Sequence, residues 1–225
     1  MLLVDRLYTH FAYPRGTVGS LAGVIMARRR ANTVRGRWVI DQLALASGSR
    51  VLEVGYGPGA VLDDVCRRTA NGHVVGIDIS PVMMRQAAHR NRSHAQAGLL
   101  ELRIGDAAHL APDLRDFDVI FGINVWQYWQ DPATVIKDLG TRLRPGGRLA
   151  LAYMRPPGCR LTHGQAATQL TTQFTAATFT HIATEWMQHK PPAVLVSGQR
   201  PATTVCDTAS STPNSKAVPP LPDPM

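Results

Sequence analysis

The chain has 225 residues, 24 Lys and Arg against 16 Asp and Glu for a net charge of +8, and a 44% hydrophobic share. That length supports a single domain with a full-sized core, and no apolar run approaches the roughly 20 residues of a membrane helix. Cys66, Cys159 and Cys206 are scattered without a C-x-x-C pair, and the histidines show no H-x-x-x-H spacing, so neither a disulfide framework nor a metal site is expected.

Residues 1–48 precede the first strand pattern. The run Phe11-Ala12-Tyr13-Pro14-Arg15-Gly16 reads as a loop, and Thr17 or Ser20 is placed to cap a helix carrying Leu21, Val24 and Ile25. That apolar stretch ends in Arg28-Arg29-Arg30, and Met1-Leu2-Leu3-Val4-Asp5-Arg6 lacks the pattern of a secretory signal, so the expected location is cytoplasmic. A second helix through Val34, Trp38, Val39, Leu43 and Leu45 has apolar spacing suited to packing on a domain.

The most informative stretch is Val51-Leu52-Glu53-Val54-Gly55-Tyr56-Gly57-Pro58-Gly59, a short buried strand running into a glycine-rich turn and then a helix. Glycines lack Cβ, so such a turn adopts strained dihedrals and lets the backbone approach a ligand. Gly55-x-Gly57-x-x-Ala60 with Asp78 downstream also satisfies a dinucleotide fingerprint, and the turn alone leaves both readings open. Strands are expected near 50–54, 73–77, 99–104, 117–123, 147–153, 179–187 and 192–198, with helices near 59–70, 81–92, 132–143 and 164–176. Pro58 and Pro81 suit first helical turns, where a missing N–H costs nothing. The alternation implies a mostly parallel sheet with helices on both faces, binding its ligand beyond the carboxyl ends of the strands.

Three further segments accompany the glycine turn: Gly76-Ile77-Asp78-Ile79-Ser80, Gly105-Asp106-Ala107 and Leu143-Arg144-Pro145-Gly146-Gly147-Arg148-Leu149. With Glu53 and glycines at 55, 57 and 59 they resemble, in order, the motifs of the class I S-adenosylmethionine-dependent methyltransferases. The resemblance spans residues 50–153 and implies a Rossmann-like seven-stranded α/β sheet with one antiparallel strand over residues 49–200. It places all four motifs at the ligand end. It implies S-adenosylmethionine as cofactor, with Asp78 and Ile79 at the ribose, and Asp106 and Ala107 at the adenine. Gly55, Tyr56, Gly57 and Gly59 would lie along the methionine end with Glu53 beneath them. Asn124, opening the segment Asn124-Val125-Trp126-Gln127-Tyr128-Trp129, would border the reacting methyl. A looser resemblance, F-x-x-P-x-G-x-x-G from Phe11, makes residues 1–48 a helical lid carrying Tyr8, His10, Tyr13 and Arg15.

Methyl transfer from an activated donor relies mainly on positioning, and a base is needed only for a protonated acceptor. The candidate bases are His109, Tyr128 and His10, and the Trp126 and Trp129 faces could stabilise a cation. No Asn-Pro-Pro-Tyr box follows the fourth strand, which leans away from amino-group methylation of nucleic acids and toward a small-molecule acceptor. Methylation of RNA or protein, which the basic charge leaves open, and non-catalytic cofactor binding are the alternatives. The usual A-G-F before the sixth strand appears as Ala177-Thr178-Phe179, which puts the local turn in question. Residues 201–225, rich in Thr, Ser and Pro, are expected to form a disordered tail.

Overall fold

The computed structural model describes residues 30–156, 159–188 and 192–202. The proposed lid residues Tyr8, His10, Tyr13 and Arg15, the apolar stretch 21–27 and the tail beyond 202 lie outside these residues. Among the described residues no helix is long and apolar enough to cross a membrane.

Seven strands form one sheet: β1 (Arg50–Val54), β2 (His73–Asp78), β3 (Leu100–Ile104), β4 (Phe117–Ile123), β5 (Leu143–Tyr153), β6 (Thr180–Met187) and β7 (Ala193–Gln199). Their order is β3-β2-β1-β4-β5-β7-β6. The first five run parallel and β7 is antiparallel to both neighbours, as expected from the sequence. Central β1 is buried on both sides, the condition that makes Val51-Leu52-Glu53-Val54 read as a continuous run rather than an alternation.

One sheet face is covered by α1 (Arg30–Gln42), α2 (Leu62–Arg68) and α3 (Pro81–Arg90), through Val39 and Ile40 with Leu43 just after the helix, Leu62, Val65 and Cys66, and Val82, Met83 and Ala87. The short α4 (Arg92–Gln96) follows α3. The other face is covered by α5 (Pro132–Arg142) and α6 (His163–Ala176), through Val135, Ile136 and Leu139 and then Ala166, Leu170 and Phe174. Helix α1 thus contributes to the core itself, although it falls within the segment assigned to a lid. Starts are set by local chemistry: Ser80 caps α3 with Pro81 at the first position, Asp131 caps α5, and Thr162 and Gln165 form a reciprocal capping box on α6.

Three expectations need correction. The first helix after β1 begins at Leu62 rather than 59, because Gly57 and Gly59 take φ of 52° and 69° and hold the chain out of the helix; Pro58 therefore lies in the preceding turn. Strand β5 begins at Leu143, pairing with Phe117 before a register shift to Arg148 opposite Val119. The Pro-Gly-Gly turn consequently sits where β4 and β1 begin, at the end of the sheet opposite the other three motifs, tied down by Gly146 N–H to Arg200 C=O (2.9 Å).

Thr178 occupies the place of the usual glycine with φ of 62°. A β-branched residue in the left-handed region is strained. Replacing it should relieve more energy than glycine loses through its freer unfolded chain. Thr178→Gly is expected to stabilise the protein by about 1 kcal/mol and raise Tm by about 3 °C in a thermal melt.

Candidate active site

The three glycines of the turn are required for three different reasons. Gly55 (φ 72°) donates its N–H to the Ile77 carbonyl at 2.7 Å, and a Cβ there would collide with Val125 of the loop after β4. Gly59 (φ 69°) is pressed against α3, where an added Cβ would fall 2.6 Å from Asn91 Nδ2 and 2.9 Å from Ala87 Cβ. Gly57 (φ 52°) differs from both, since an added Cβ would meet nothing within 4 Å and its Cα faces open space. The turn is strapped from α3, with Arg90 Nε donating to the Pro58 carbonyl (3.1 Å) and Asn91 Nδ2 to the Gly59 carbonyl (3.0 Å). Tyr56 is buried with its ring against Gly76, and its hydroxyl donates to the Arg103 carbonyl at 3.3 Å.

Asp78 ends β2 beneath this turn. Its Oδ2 accepts from Gly57 N–H (2.8 Å) and its Oδ1 from Ser80 N–H (2.9 Å). A carboxylate oxygen accepts more than one hydrogen bond, so both retain acceptor capacity. Burial raises the Asp78 carboxyl above its ordinary value, and the two backbone N–H bonds pull it back down. Glu53 is only 2% exposed, and its Oε2 has no partner among the described residues. Burial first, and then the charge of Asp78, push its carboxyl up to about 8.

The end of β3 is joined to this network by Gly105 N–H donating to the Asp78 carbonyl at 3.0 Å. Beyond it Asp106 is exposed and caps the turn 107–109 by accepting from Ala108 N–H (3.0 Å), while Ala107 is buried. Ile79 and Ile104 present unusually exposed apolar side chains beside Asp78 and Asp106. His109 is 85% exposed, with Nδ1 3.9 Å from Asp106 Oδ2, and no further described group converges on it.

Beyond β4, Asn124 (φ 56°) spends its side chain on the main chain of Met154, donating from Nδ2 to the carbonyl (2.9 Å) and accepting at Oδ1 from N–H (2.6 Å). This clamps the ends of β4 and β5 together. Trp126 is 3% exposed and packed edge-on against Tyr153, so its face is closed to a cationic ligand, contrary to the sequence expectation. Trp129 and Tyr128 are half-buried.

Glu53, the glycine turn, Tyr56 and Asp78 thus form one contiguous network, with Asp106, Ala107 and Asn124 at its borders. A family model described as a methyltransferase domain matches residues 52–149, which hold that network. Residues 52–149 form a class I S-adenosylmethionine-dependent methyltransferase domain.

Among its relatives is the uncharacterized methyltransferase YdaC of Bacillus subtilis, 29% identical over 187 residues that cover 81% of this chain and 99% of that protein. The ubiquinone biosynthesis O-methyltransferase of Aeromonas salmonicida is 28% identical over 133 residues, 59% of this chain and 54% of the relative. The chain therefore spans about half the length of that relative. An S-adenosylmethionine-dependent methyltransferase structure from Aquifex aeolicus superposes with a TM-score of 0.65 at 15% identity, covering 80% of this chain and 97% of that one. The methyltransferase cofactor, S-adenosylmethionine, suits what is present: an open cradle at Gly57, spare acceptor capacity on a partly buried Asp78, and a buried Glu53 Oε2 without a partner among the described residues.

Sequence reasoning missed a second cluster in this methyltransferase, beyond the carboxyl end of β5. Tyr153 donates its hydroxyl to the Leu161 carbonyl (2.8 Å), its oxygen lies 3.3 Å from Cys159 Sγ, and its ring meets the His163 imidazole edge-on with centroids 5.6 Å apart. The available signal was Thr162-His163-Gly164-Gln165, a capping box that fixes the helix start at His163.

Proposed function

We propose that this methyltransferase transfers the methyl group to a hydroxyl oxygen of a small-molecule acceptor. Bound S-adenosylmethionine supplies an activated sulfonium methyl. Asp78 holds the ribose hydroxyls, with Ile79 flanking the sugar and base. Asp106 and the Ala107 backbone face the adenine. Gly55, Gly57 and Gly59 line the amino-acid end over Glu53, and Tyr56 acts indirectly by fixing the turn. Asn124 sets the floor of the acceptor side, which Tyr128 borders.

The observation that carries the acceptor reading is that Asn124 is held by both amide atoms on the main chain of Met154, as a clamp between β4 and β5 rather than as a side chain directed at an acceptor amine. Support also comes from relatives named as O-methyltransferases of ubiquinone biosynthesis and of nocamycin.

The test is incubation of the purified full chain with S-adenosylmethionine and a panel of hydroxylated aromatic acids headed by 3,4-dihydroxybenzoate, with bulk RNA and protein as parallel acceptors. Product carrying one extra methyl on oxygen is the expected result. Methyl incorporation into RNA or protein alone would replace this reading.

A further inference from the structure

We propose that His163 takes the proton from the acceptor hydroxyl at the carboxyl end of β5, an inference that rests on the hydroxyl-acceptor reading above. His163 opens α6, and the long strand β5 and the β4–β5 clamp at Asn124 and Met154 bring that helix start to the end of the sheet where the glycine turn lies. The ring is partly buried and fixed on two sides. Tyr153 meets it edge-on, and the Pro192 carbonyl accepts a hydrogen bond from it. Proline has no N–H to donate, so the ring nitrogen facing Pro192 carries the hydrogen.

The second nitrogen, Nε2, accepts from the Arg155 N–H at 3.5 Å, the outer limit of a hydrogen bond, and an acceptor hydroxyl would displace that contact. Nδ1 is therefore the protonated position and Nε2 keeps a barely engaged lone pair, which is the tautomer a base requires. Among the described residues, the charged and titratable groups acting on the ring are Arg155, which follows β5, and Arg35, from α1, with Tyr153 beneath, and no carboxylate. Burial lowers the imidazole below its ordinary value, the Pro192 bond opposes this, and Arg155 and Arg35 add to the lowering. The first turn of a 14-residue helix works in the same direction. His163 is thus neutral near pH 7, and the two arginines favour an oxygen that is becoming anionic.

In this step the acceptor O–H bond breaks and its proton forms a bond to Nε2. The electron pair left on oxygen makes the new bond to the methyl carbon, and the pair of the breaking S–C bond stays on sulfur. The imidazolium then returns its proton to solvent. A sequence search for bases favours His109, but that ring is 85% exposed, with Asp106 its sole described charged neighbour. His163 offers the fixed tautomer and the partial burial that His109 lacks.

The experiment compares the full chain with His163→Ala and His163→Gln on two acceptors, 3,4-dihydroxybenzoate and 4-nitrocatechol. The nitro compound has a hydroxyl acidic enough to be ionised already at neutral pH. For dihydroxybenzoate, kcat is expected to fall by about 100-fold or more, the scale of general-base catalysis, with KM nearly unchanged. The wild-type kcat should rise with pH through a limb below the ordinary histidine value, and that limb should vanish in both variants. With 4-nitrocatechol the variants should keep kcat close to wild type. Equal slowing on both acceptors, with S-adenosylhomocysteine affinity and Tm retained, would make the residue structural and overturn the proposal. Unchanged kcat on both would overturn it as well. If the wild type methylates neither probe on oxygen, the hydroxyl-acceptor reading fails first, and the role of His163 falls with it.

Discussion

Asp78→Ala is expected to weaken S-adenosylhomocysteine binding by two to three orders of magnitude in a calorimetric titration. Two charge-assisted hydrogen bonds from ribose hydroxyls to one carboxylate contribute roughly 1.5–3 kcal/mol each. Losing both leaves about 3–4 kcal/mol as a lower range, which is about 200- to 1000-fold in Kd. The substitution also frees the Gly57 and Ser80 N–H groups that Asp78 now holds at 2.8 and 2.9 Å. Asp78→Asn separates the two effects, because an amide of the same shape keeps one acceptor oxygen for the backbone but loses the charge. An intermediate loss of about 10-fold is expected for Asn, with NAD binding to none of the three proteins. Wild-type affinity in the Ala variant would remove Asp78 from the ribose site altogether.

Glu53→Gln is expected to change how stability depends on pH. The carboxyl is buried and held up to about 8 in the folded chain, whereas in the unfolded chain it titrates near an ordinary glutamate value. Between those two values the folded state binds more protons than the unfolded state, so stability falls as pH rises through this window. Below about pH 4 the contribution is fully present, and above about pH 8 it is lost. The total is on the order of 5 kcal/mol as an upper bound, because each unit of difference is worth 1.36 kcal/mol and denatured-state structure reduces it. The Gln variant should show a flatter profile from pH 5 to 8 and resist urea better than wild type at pH 8. A parallel decline in both proteins would assign the pH dependence to other groups. The same carboxyl, once a cationic ligand lies above it, should give up its proton. Binding of S-adenosylmethionine at pH 7 would then release protons measurable as a heat that varies with buffer ionisation enthalpy.

Most of the sheet was legible from the chain because its strands are short apolar runs bounded by glycine, proline or aspartate. Arg50–Val54 and Phe117–Ile123 match expectation at both ends for this reason. Residues whose conformation depends on distant partners were harder to place. Positive φ at Gly57 and Gly59 shortens α2, and this follows from the strap by Arg90 and Asn91, over 30 residues away. Trp126 looks like a ligand-facing aromatic in a loop of aromatics, yet a local helical turn rotates it into the core against Tyr153. The Pro-Gly-Gly segment is expected to lead into β5 but lies within its irregular first turns, at the amino end of a parallel strand and away from the ligand. His163 escaped notice because the capping box of Thr162 and Gln165 marks a helix start but not what the first residue of that helix meets, and its contact with Tyr153 is made only in the fold.

The strap from α3 to the glycine turn has a thermodynamic consequence. Because Pro58 and Gly59 are already held by Arg90 and Asn91, and Gly57 by Asp78, the turn has little freedom left to surrender when a ligand arrives. Binding should therefore carry a small ordering entropy at this loop, and affinity should follow the contacts made rather than a folding transition. Asn91, 1% exposed and bonded to the Gly59 carbonyl, is therefore expected to influence cofactor affinity through the turn it holds.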